Sequence, residues 1–527
     1  MTTPPSSGLD LFASRVLWHR RESPERRAIV CDGDALSYAA LADRALRAAG
    51  RLRAIDHGPG YAGRVGLIAS NGLDFVVIVV ACQFAGVTVV PLPGMLTPDA
   101  LARMIDDAGV TLVFHDLDHT EKSHEAVALT STPAAVTVVA LGGPQTSDSR
   151  TLLDTWFGTD RLDPAACRVD PLGSSDIIYS SGTTGTPKGI VQSYQARAAA
   201  CASLAAFGIT ARSHLLQTVS LYSNFGLGSF YLTLWGGGTF FMMRKFSGAA
   251  AVELLAREPI DHAWFAPATL VRTMDAPGFV AAVRDRPCAK LCAGAPLGTG
   301  HKERVLAEWP GAFFDLYGQT ETGTLTILSA RSAPADKLGS VGTLLPTASV
   351  RILDDAGAAL PAEAEGEIAG HTTTGMTEYH GLGEAAISSW FDASGRRYIR
   401  TGDIGKLDAD GYLWLCDRKK DMIISGGYNI YPADLERVLQ GHPAVLEVAV
   451  VGFPSIRWGE TPVAFVTRRE GPPVEEDELR EWVNARVARI QRVAAVRILP
   501  ALPSGTMGKI LKRELRTRHA DALGTFP

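Results

Sequence analysis

The segment Ser180-Ser181-Gly182-Thr183-Thr184-Gly185-Thr186-Pro187-Lys188-Gly189 gathers five hydroxyls, three glycines and one lysine into ten residues. Glycines let successive backbone N–H groups turn toward an anion, because positive φ costs them little. Hydroxyls donate to phosphate oxygens, and a lysine adds a compact positive charge. Such a loop suits a polyphosphate. A flexible Ser/Thr/Gly linker shares the composition, but it has no need of Pro187 and Lys188 beside a strand. Gly189 also follows Lys188 where the G-x-x-x-x-G-K-[ST] pattern requires Ser or Thr. The reading is a nucleotide site of a different kind from that of motor proteins and GTPases.

Four further segments carry groups of the same chemistry. Tyr317-Gly318-Gln319-Thr320-Glu321-Thr322-Gly323 sets a hydroxyl next to a carboxylate after an apolar strand. Arg400-Thr401-Gly402-Asp403 puts one aspartate behind turn-forming residues. Ser425-Gly426-Gly427-Tyr428 is a Gly-Gly loop, and Leu502-Pro503-Ser504-Gly505-Thr506-Met507-Gly508-Lys509 offers one lysine on a turn. Each also has a plain reading. Asp403 suits a turn with a local backbone bond, Glu321 a solvated carboxylate, and Lys509, near Lys512 and Arg513, a solvated basic face.

The elements that must position these groups alternate. Asp176-Ile177-Ile178-Tyr179 is short and β-prone, so the hydroxyl-rich loop leaves a strand. Upstream, Arg27–Val30 and Ala35–Tyr38 flank Asp32-Gly33 as a hairpin, and residues 39–54 carry apolar side chains at helical spacing. Strand-like segments recur at residues 65–69, 87–90, 111–115, 136–141, 239–243 and 262–265, with helices between them. That is α/β architecture with mostly parallel, buried strands. After Gly339 the style shifts to short antiparallel strands and hairpins, among them Asp408 to Leu415. Beyond Asp417-Arg418-Lys419-Lys420-Asp421 a smaller α+β tail follows, with a helix from Pro432, strands near residues 447–453 and 462–466, and a charged helix from Glu475 to Ile490.

Bulk properties exclude several classes. A net charge of −5 over 527 residues gives no electrostatic footprint for nucleic acid or an anionic membrane. Seven unpatterned cysteines argue against a disulfide framework, and Cys288 and Cys292 lack a second ligand pair at zinc spacing. The apolar run from Phe75 to Cys82 is too short for a bilayer and ends at Gln83. With no secretion signal visible at the N-terminus, the expected location is cytoplasmic.

Taken in order from Ser180 to Lys509, these motifs resemble the adenylate-forming superfamily: acyl- and aryl-CoA synthetases, stand-alone adenylation domains and firefly-type luciferases. The resemblance spans almost the whole chain. It implies a large N-terminal domain of α/β subdomains with a small antiparallel β portion, residues 1–419, and a small mobile α+β lid, residues 420–527, rotating about Lys420. It further implies that residues Ser180 to Lys188 hold the β- and γ-phosphates of ATP. Thr320 would donate to the α-phosphate, Glu321 would hold Mg²⁺, and Gly294-Ala295-Pro296 would pack on adenine beside Tyr317 and Gly318. Asp403 and Arg418 would hold the ribose, and Lys509 would steer adenylation.

The acid would lie against Tyr222, Ser223, Asn224, Phe225, Gly318, Gln319 and Gly323. Here the chain departs from the pattern: Ser223 stands where such enzymes usually carry a histidine that closes over the acyl group. Ser504 and Tyr428 also replace the usual basic residue and glutamate. The implied activity is that of an ATP- and Mg²⁺-dependent acid–thiol ligase acting on a carboxylic acid through an acyl-adenylate, with coenzyme A as acceptor. A carrier-protein phosphopantetheine thiol, or an amine or other nucleophile, is the alternative acceptor. A rival of another class is a nucleotide-binding protein without catalysis.

Overall fold

A computed structural model describes residues 11–55, 63–142, 152–157, 161–180, 188–204, 207–418, 421–425, 428–469, 471–505 and 509–526. The alternating strands and helices of the first part of the chain assemble into two large sheets. The nine-stranded sheet runs, in order, Thr343–Leu344, Gly323–Ser329, Phe313–Gln319, Ala289–Cys292, His262–Phe265, His214–Gln217, Thr239–Met242, Arg27–Cys31, Asp34–Ser37. Its six central strands are parallel and the edges antiparallel. The seven-stranded sheet runs Glu378–Tyr379, Lys188–Ser193, Ser174–Ser180, Thr88–Pro91, Arg64–Ile68, Leu112–His115, Thr137–Ala140. It too is parallel, except where Lys188–Ser193 pairs its neighbours. Parallel order requires crossovers, and the helices that supply them cover the faces.

Packing explains the composition of the crossovers. The helix Leu73–Ala85 is apolar on every side and is buried from Phe75 to Ala85. A helix apolar all round belongs in a core, and this one sits in the cluster shared by both sheets together with Phe230, Tyr231 and Leu232. Its one polar interior residue, Gln83, donates to the Ser175 and Tyr231 hydroxyls at 3.0 and 3.1 Å. Among the described residues no helix is long and apolar enough to cross a membrane.

The antiparallel part expected after Gly339 is a five-stranded sheet in which Ala348–Leu353, Gly366–Thr372, Arg397–Leu407 and Ser389–Phe391 follow one another and Leu413–Arg418 pairs Arg397–Leu407. One local expectation fails here. Asp403 does not follow a turn but lies inside the eleven-residue strand Arg397–Leu407. Gly402, at φ +70°, bends that strand without ending it.

The C-terminal part has its own sheet, built of Tyr428–Ile430, Ile423–Ser425, Gly459–Arg468, Val445–Ser455 and Ala495–Ile498. Leu435, Leu439, Leu479 and Val483 pack helices Pro432–Gln440 and Glu476–Asn484 on it. The second helix stops at Asn484, short of Ile490, because Asn484 bonds back to Val493 through both its side-chain groups and turns the chain. The molecule is a two-domain α/β protein with a smaller C-terminal domain. The expected boundary, Lys419-Lys420, lies outside the described residues.

Candidate active site

In open parallel sheets, ligands bind at the carboxyl ends of the strands. In the nine-stranded sheet, Trp264 pairs Gln217, Phe265 pairs Cys292, and Cys292 pairs Asp315. Residues 218–224, 293–296 and 318–321 therefore leave the sheet along one edge. Those are the segments singled out for the acid, the adenine and the α-phosphate.

The turn that carries Thr320 and Glu321 is fixed by main chain. A β-carbon at Gly318 would lie 2.2 Å from the Gly323 carbonyl oxygen, so no side chain fits. Gly323 has φ +71°, a region L-residues avoid. Thr322 accepts from the Gln319 N–H at 3.1 Å and donates to the Gly323 carbonyl at 2.9 Å. Gln192, buried in the seven-stranded sheet, donates to the Thr320 carbonyl at 3.0 Å and ties the turn to that sheet. The Thr320 hydroxyl makes no hydrogen bond among the described residues.

Tyr379 joins the two sheets at this point. Its hydroxyl donates to Glu321 Oε1 at 3.2 Å, and the Lys188 ammonium stands 4.7 Å over its ring. The strand Glu378–Tyr379 reaches that place by pairing Ile190 and Val191, while Met376 N–H donates to the Glu321 carbonyl at 2.9 Å. Beside Glu321, burial and then the carboxylate push the Tyr379 phenol up, so it stays a donor. The sequence reading missed Tyr379. Its only local signal is an aromatic residue in a short β-prone segment, which matches no motif.

Asp403 is buried and clasped. Tyr317 donates from its hydroxyl at 2.8 Å and Gln319 from its carboxamide at 3.0 Å, both to Oδ2. Gln319, expected at the acid, is thus used to hold this carboxylate and the Thr401 carbonyl. Asp403 pairs Arg418 across the antiparallel ladder, which sets the two ribose candidates side by side in the main chain. Gly294, at φ +98°, opens the Gly294-Ala295-Pro296 loop just past the strand Ala289–Cys292.

The hydroxyl-rich loop is seen at its two ends. Ser180 closes the strand Ser174–Ser180 and pairs Lys188, which opens the strand Lys188–Ser193. Ser181, Gly182, Thr183, Thr184, Gly185, Thr186 and Pro187 lie outside the described residues, as do Lys420, Gly426-Gly427 and Thr506-Met507-Gly508. Gly189 has a packing reason distinct from anion binding, since a β-carbon there would meet Ile177 at 2.9 Å. Lys509 is described: its carbonyl accepts from Gly505 N–H at 2.7 Å, closing the C-terminal turn, and Ser504 bridges Ile510.

On the side expected to take the acid, Ser223 bonds to the main chain of its own helix start. It caps the helix Asn224–Gly236, accepting from Gly226 N–H at 3.0 Å and donating to the Ser220 carbonyl at 2.7 Å. Phe225 stacks on Trp264, centroids 5.1 Å apart. Asn224 bonds to Arg197 at 2.7 Å. Tyr222 turns instead toward a cavity of about 170 Å³ at the seam of the two large sheets, lined also by Asn71, His119, Thr218, Arg244 and Lys245. Beside it Asp116 accepts from His119 at 2.5 Å and from Ser70 N–H at 2.9 Å. Burial pushes the Asp116 carboxyl up, but those bonds and the Arg244 charge prevail and hold it at about 2. This cavity includes neither Thr320, Glu321 nor Asp403.

Among the described residues no group of three or more His, Cys, Asp or Glu could hold a metal by itself. A single carboxylate with one oxygen outside the Tyr379 bond suits a cation that keeps most of its ligands as water and phosphate. Magnesium is such a cation.

Comparison with known proteins identifies the family. The model of the AMP-binding enzyme family matches residues 16–380, and that of the AMP-binding enzyme C-terminal domain matches residues 434–509. Fatty acid–[acyl-carrier-protein] ligase ScoC of Streptomyces coeruleorubidus is 31% identical over 523 residues, covering 97% of this chain and 96% of that protein. Feruloyl-CoA synthase of an Amycolatopsis species is 31% identical over 503 residues, covering 94% and 97%. The crystal structure of ATP-bound MatB from Rhodopseudomonas palustris superposes with TM-score 0.85 at 27% identity, covering 98% of this chain and all of that one. Apo MatB gives 0.74 at the same identity and coverage. With the fold and both family models in agreement, this chain belongs to the AMP-binding enzymes and is a ligase of the acyl-CoA synthetase type.

Proposed function

We propose that the protein activates a carboxylic acid with ATP as an acyl-adenylate, releasing pyrophosphate, and passes the acyl group to the thiol of coenzyme A. The observation that carries this reading is the line Lys188–Tyr379–Glu321, beside the unpartnered Thr320 hydroxyl. A cation, a carboxylate and a hydroxyl donor are what a polyphosphate with a bound divalent ion demands.

In the first step a carboxylate oxygen of the acid attacks the α-phosphorus. The bond from that phosphorus to the bridging oxygen breaks, and its electron pair leaves on pyrophosphate. Residues 180–188 would hold the departing phosphates, and Thr320 would donate to the α-phosphate as charge gathers there. Asp403, held by Tyr317 and Gln319, would receive the ribose hydroxyls, with Arg418 donating next to it. Glu321 would hold Mg²⁺, which supplies neutralisation of phosphate charge. Lys509 would reach the carboxylate and the bridging oxygen. In the second step the thiol sulfur attacks the acyl carbon, and the carbon–oxygen bond to AMP breaks. A lid turning at Lys420 would exchange one arrangement for the other. The better superposition on the ATP-bound relative than on its apo form supports an arrangement suited to the first step.

A carrier-protein phosphopantetheine arm is the second acceptor worth testing, because ScoC, a relative matched along nearly its whole length, is named for an acyl-carrier-protein. ATP–pyrophosphate exchange across a panel of acids tests the first step. Label should enter ATP only when an accepted acid is present. A protein that binds ATP yet exchanges with none is a binder, not a ligase. Supplying coenzyme A or a phosphopantetheinylated carrier to the accepted acid then identifies the acceptor by thioester formation.

A further inference from the structure

The helix that starts at Asn224 is anchored by a buried ion pair that no motif announces. Asp176, fully buried on the strand leading to the hydroxyl-rich loop, accepts from Arg197 Nε at 2.9 Å, and a second guanidinium nitrogen pairs its other oxygen. Ser175 adds a bond to Asp176 at 2.9 Å. The remaining arm of Arg197 donates to Asn224 Oδ1 at 2.7 Å.

That contact fixes more than position. A guanidinium carries donors only, so the carboxamide must present its oxygen to Arg197 and its NH₂ to the other side. The usual ambiguity of an amide flip does not arise. The NH₂ makes no hydrogen bond among the described residues, and it is not a sealed-off atom. One turn on, at Gly228, a β-carbon would meet no heavy atom within 4 Å, although Leu227 and Ser229 on either side are fully buried. Residues four apart share a helix face, so Asn224 and Gly228, neither of them buried, lie on one face of the helix at the edge where residues 218–224 leave the sheet.

We propose that Asn224 is a specificity residue that donates to a neutral oxygen, a ketone or hydroxyl, on the tail of the acid substrate, and that the Asp176–Arg197 pair is the device that keeps it donating. The class follows from the charges. Arg197 is neutralised by Asp176, so this face of the helix offers a neutral donor rather than a cation, and a second carboxylate would find no counter-charge here. An alkyl tail would leave the NH₂ dehydrated and unpaired, which disfavours it.

This inference rests on the acid-activating reading above, and the test separates the two. Exchange of label between pyrophosphate and ATP is measured on the full-length protein with matched acids: 3- and 4-acetylbenzoate against 3- and 4-isopropylbenzoate, and 5-oxohexanoate against 5-methylhexanoate. In at least one pair the oxo acid should exceed its alkyl match in kcat/KM by about 10-fold or more. Asn224→Leu should bring that ratio close to one, and Asn224→Asp, whose free oxygen can only accept, should drive it below one. Arg197→Gln with Asp176→Asn removes both buried charges and the donor-only neighbour together, and should lower the ratio. Should that double variant not fold, the two Asn224 variants decide alone. Ratios near one for every pair in the parent, or a ratio unmoved by Asn224→Leu, would overturn the proposal while leaving the ligase reading intact. Exchange with no acid at all removes the ligase reading, and this inference with it.

Discussion

The proposed nucleotide half and the proposed acid half of the same sheet edge are built on different principles. Around Thr320 and Glu321 the geometry is set by main chain: Gly318 has no room for a β-carbon, Gly323 takes positive φ, and the Thr322 hydroxyl bonds within its own turn. Around residues 222–228 it is set by side chains on a helix start: Ser223 as cap, Arg197 and Asp176 as anchor, Asn224 as the presented group. A reaction shared by many substrates needs an invariant frame, which backbone supplies. A choice among acids needs parts that can be exchanged without disturbing that frame, which helix-mounted side chains supply.

The sharpest way to break this contrast is on the nucleotide side, where effects should be largest. Lys509→Ala should slow adenylation by at least ~10²-fold, while an acyl-adenylate supplied from outside is still consumed by thiol. Equal slowing of both half-reactions would remove its step-specific role. Gly318→Ala should come next, roughly 10- to 10²-fold in pyrophosphate exchange, because displacing the turn moves Thr320 and Glu321 together. An alanine variant with parental rates would show that the turn is not rigid in the way described. Tyr379→Phe keeps the ring under Lys188 but removes the donor to Glu321, and should raise the Mg²⁺ concentration for half-maximal exchange by about 10-fold. An unchanged Mg²⁺ dependence would detach Tyr379 from the metal.

The acid half should yield the smallest and most local effect. Ser223→Ala removes a helix cap and should cost about 1 kcal/mol in denaturant unfolding, with Ser223→Asp recovering most of it. An alanine variant as stable as the parent would mean the serine serves the substrate rather than the helix.

What the sequence discloses follows the same division. Strand–helix alternation, the shift to antiparallel hairpins after Gly339, and the segments at residues 317–323 and 400–403 are local patterns. They point to the two-domain α/β fold, and the structure brings Tyr317 to Glu321 and Asp403 together. Tyr379, Gln192 and the Asp176–Arg197 pair are not legible, because each acts through a partner 21 to 128 residues away, with no spacing rule to mark it. The bond from the Gln319 carboxamide to Asp403, 84 residues on, is not legible for the same reason. Asp403 follows Gly402 as a turn residue would, but pairing resumes after the irregular bend, so the strand Arg397–Leu407 does not end there.

The most direct test is a crystal structure of the full-length protein with a non-hydrolysable ATP analogue and Mg²⁺. The account predicts terminal phosphates between Lys188 and Glu321, the α-phosphate within hydrogen-bonding distance of the Thr320 hydroxyl, and the ribose hydroxyls on Asp403. A nucleotide bound instead at the seam beside Arg244 and His119, with Glu321 and Asp403 untouched, would contradict it.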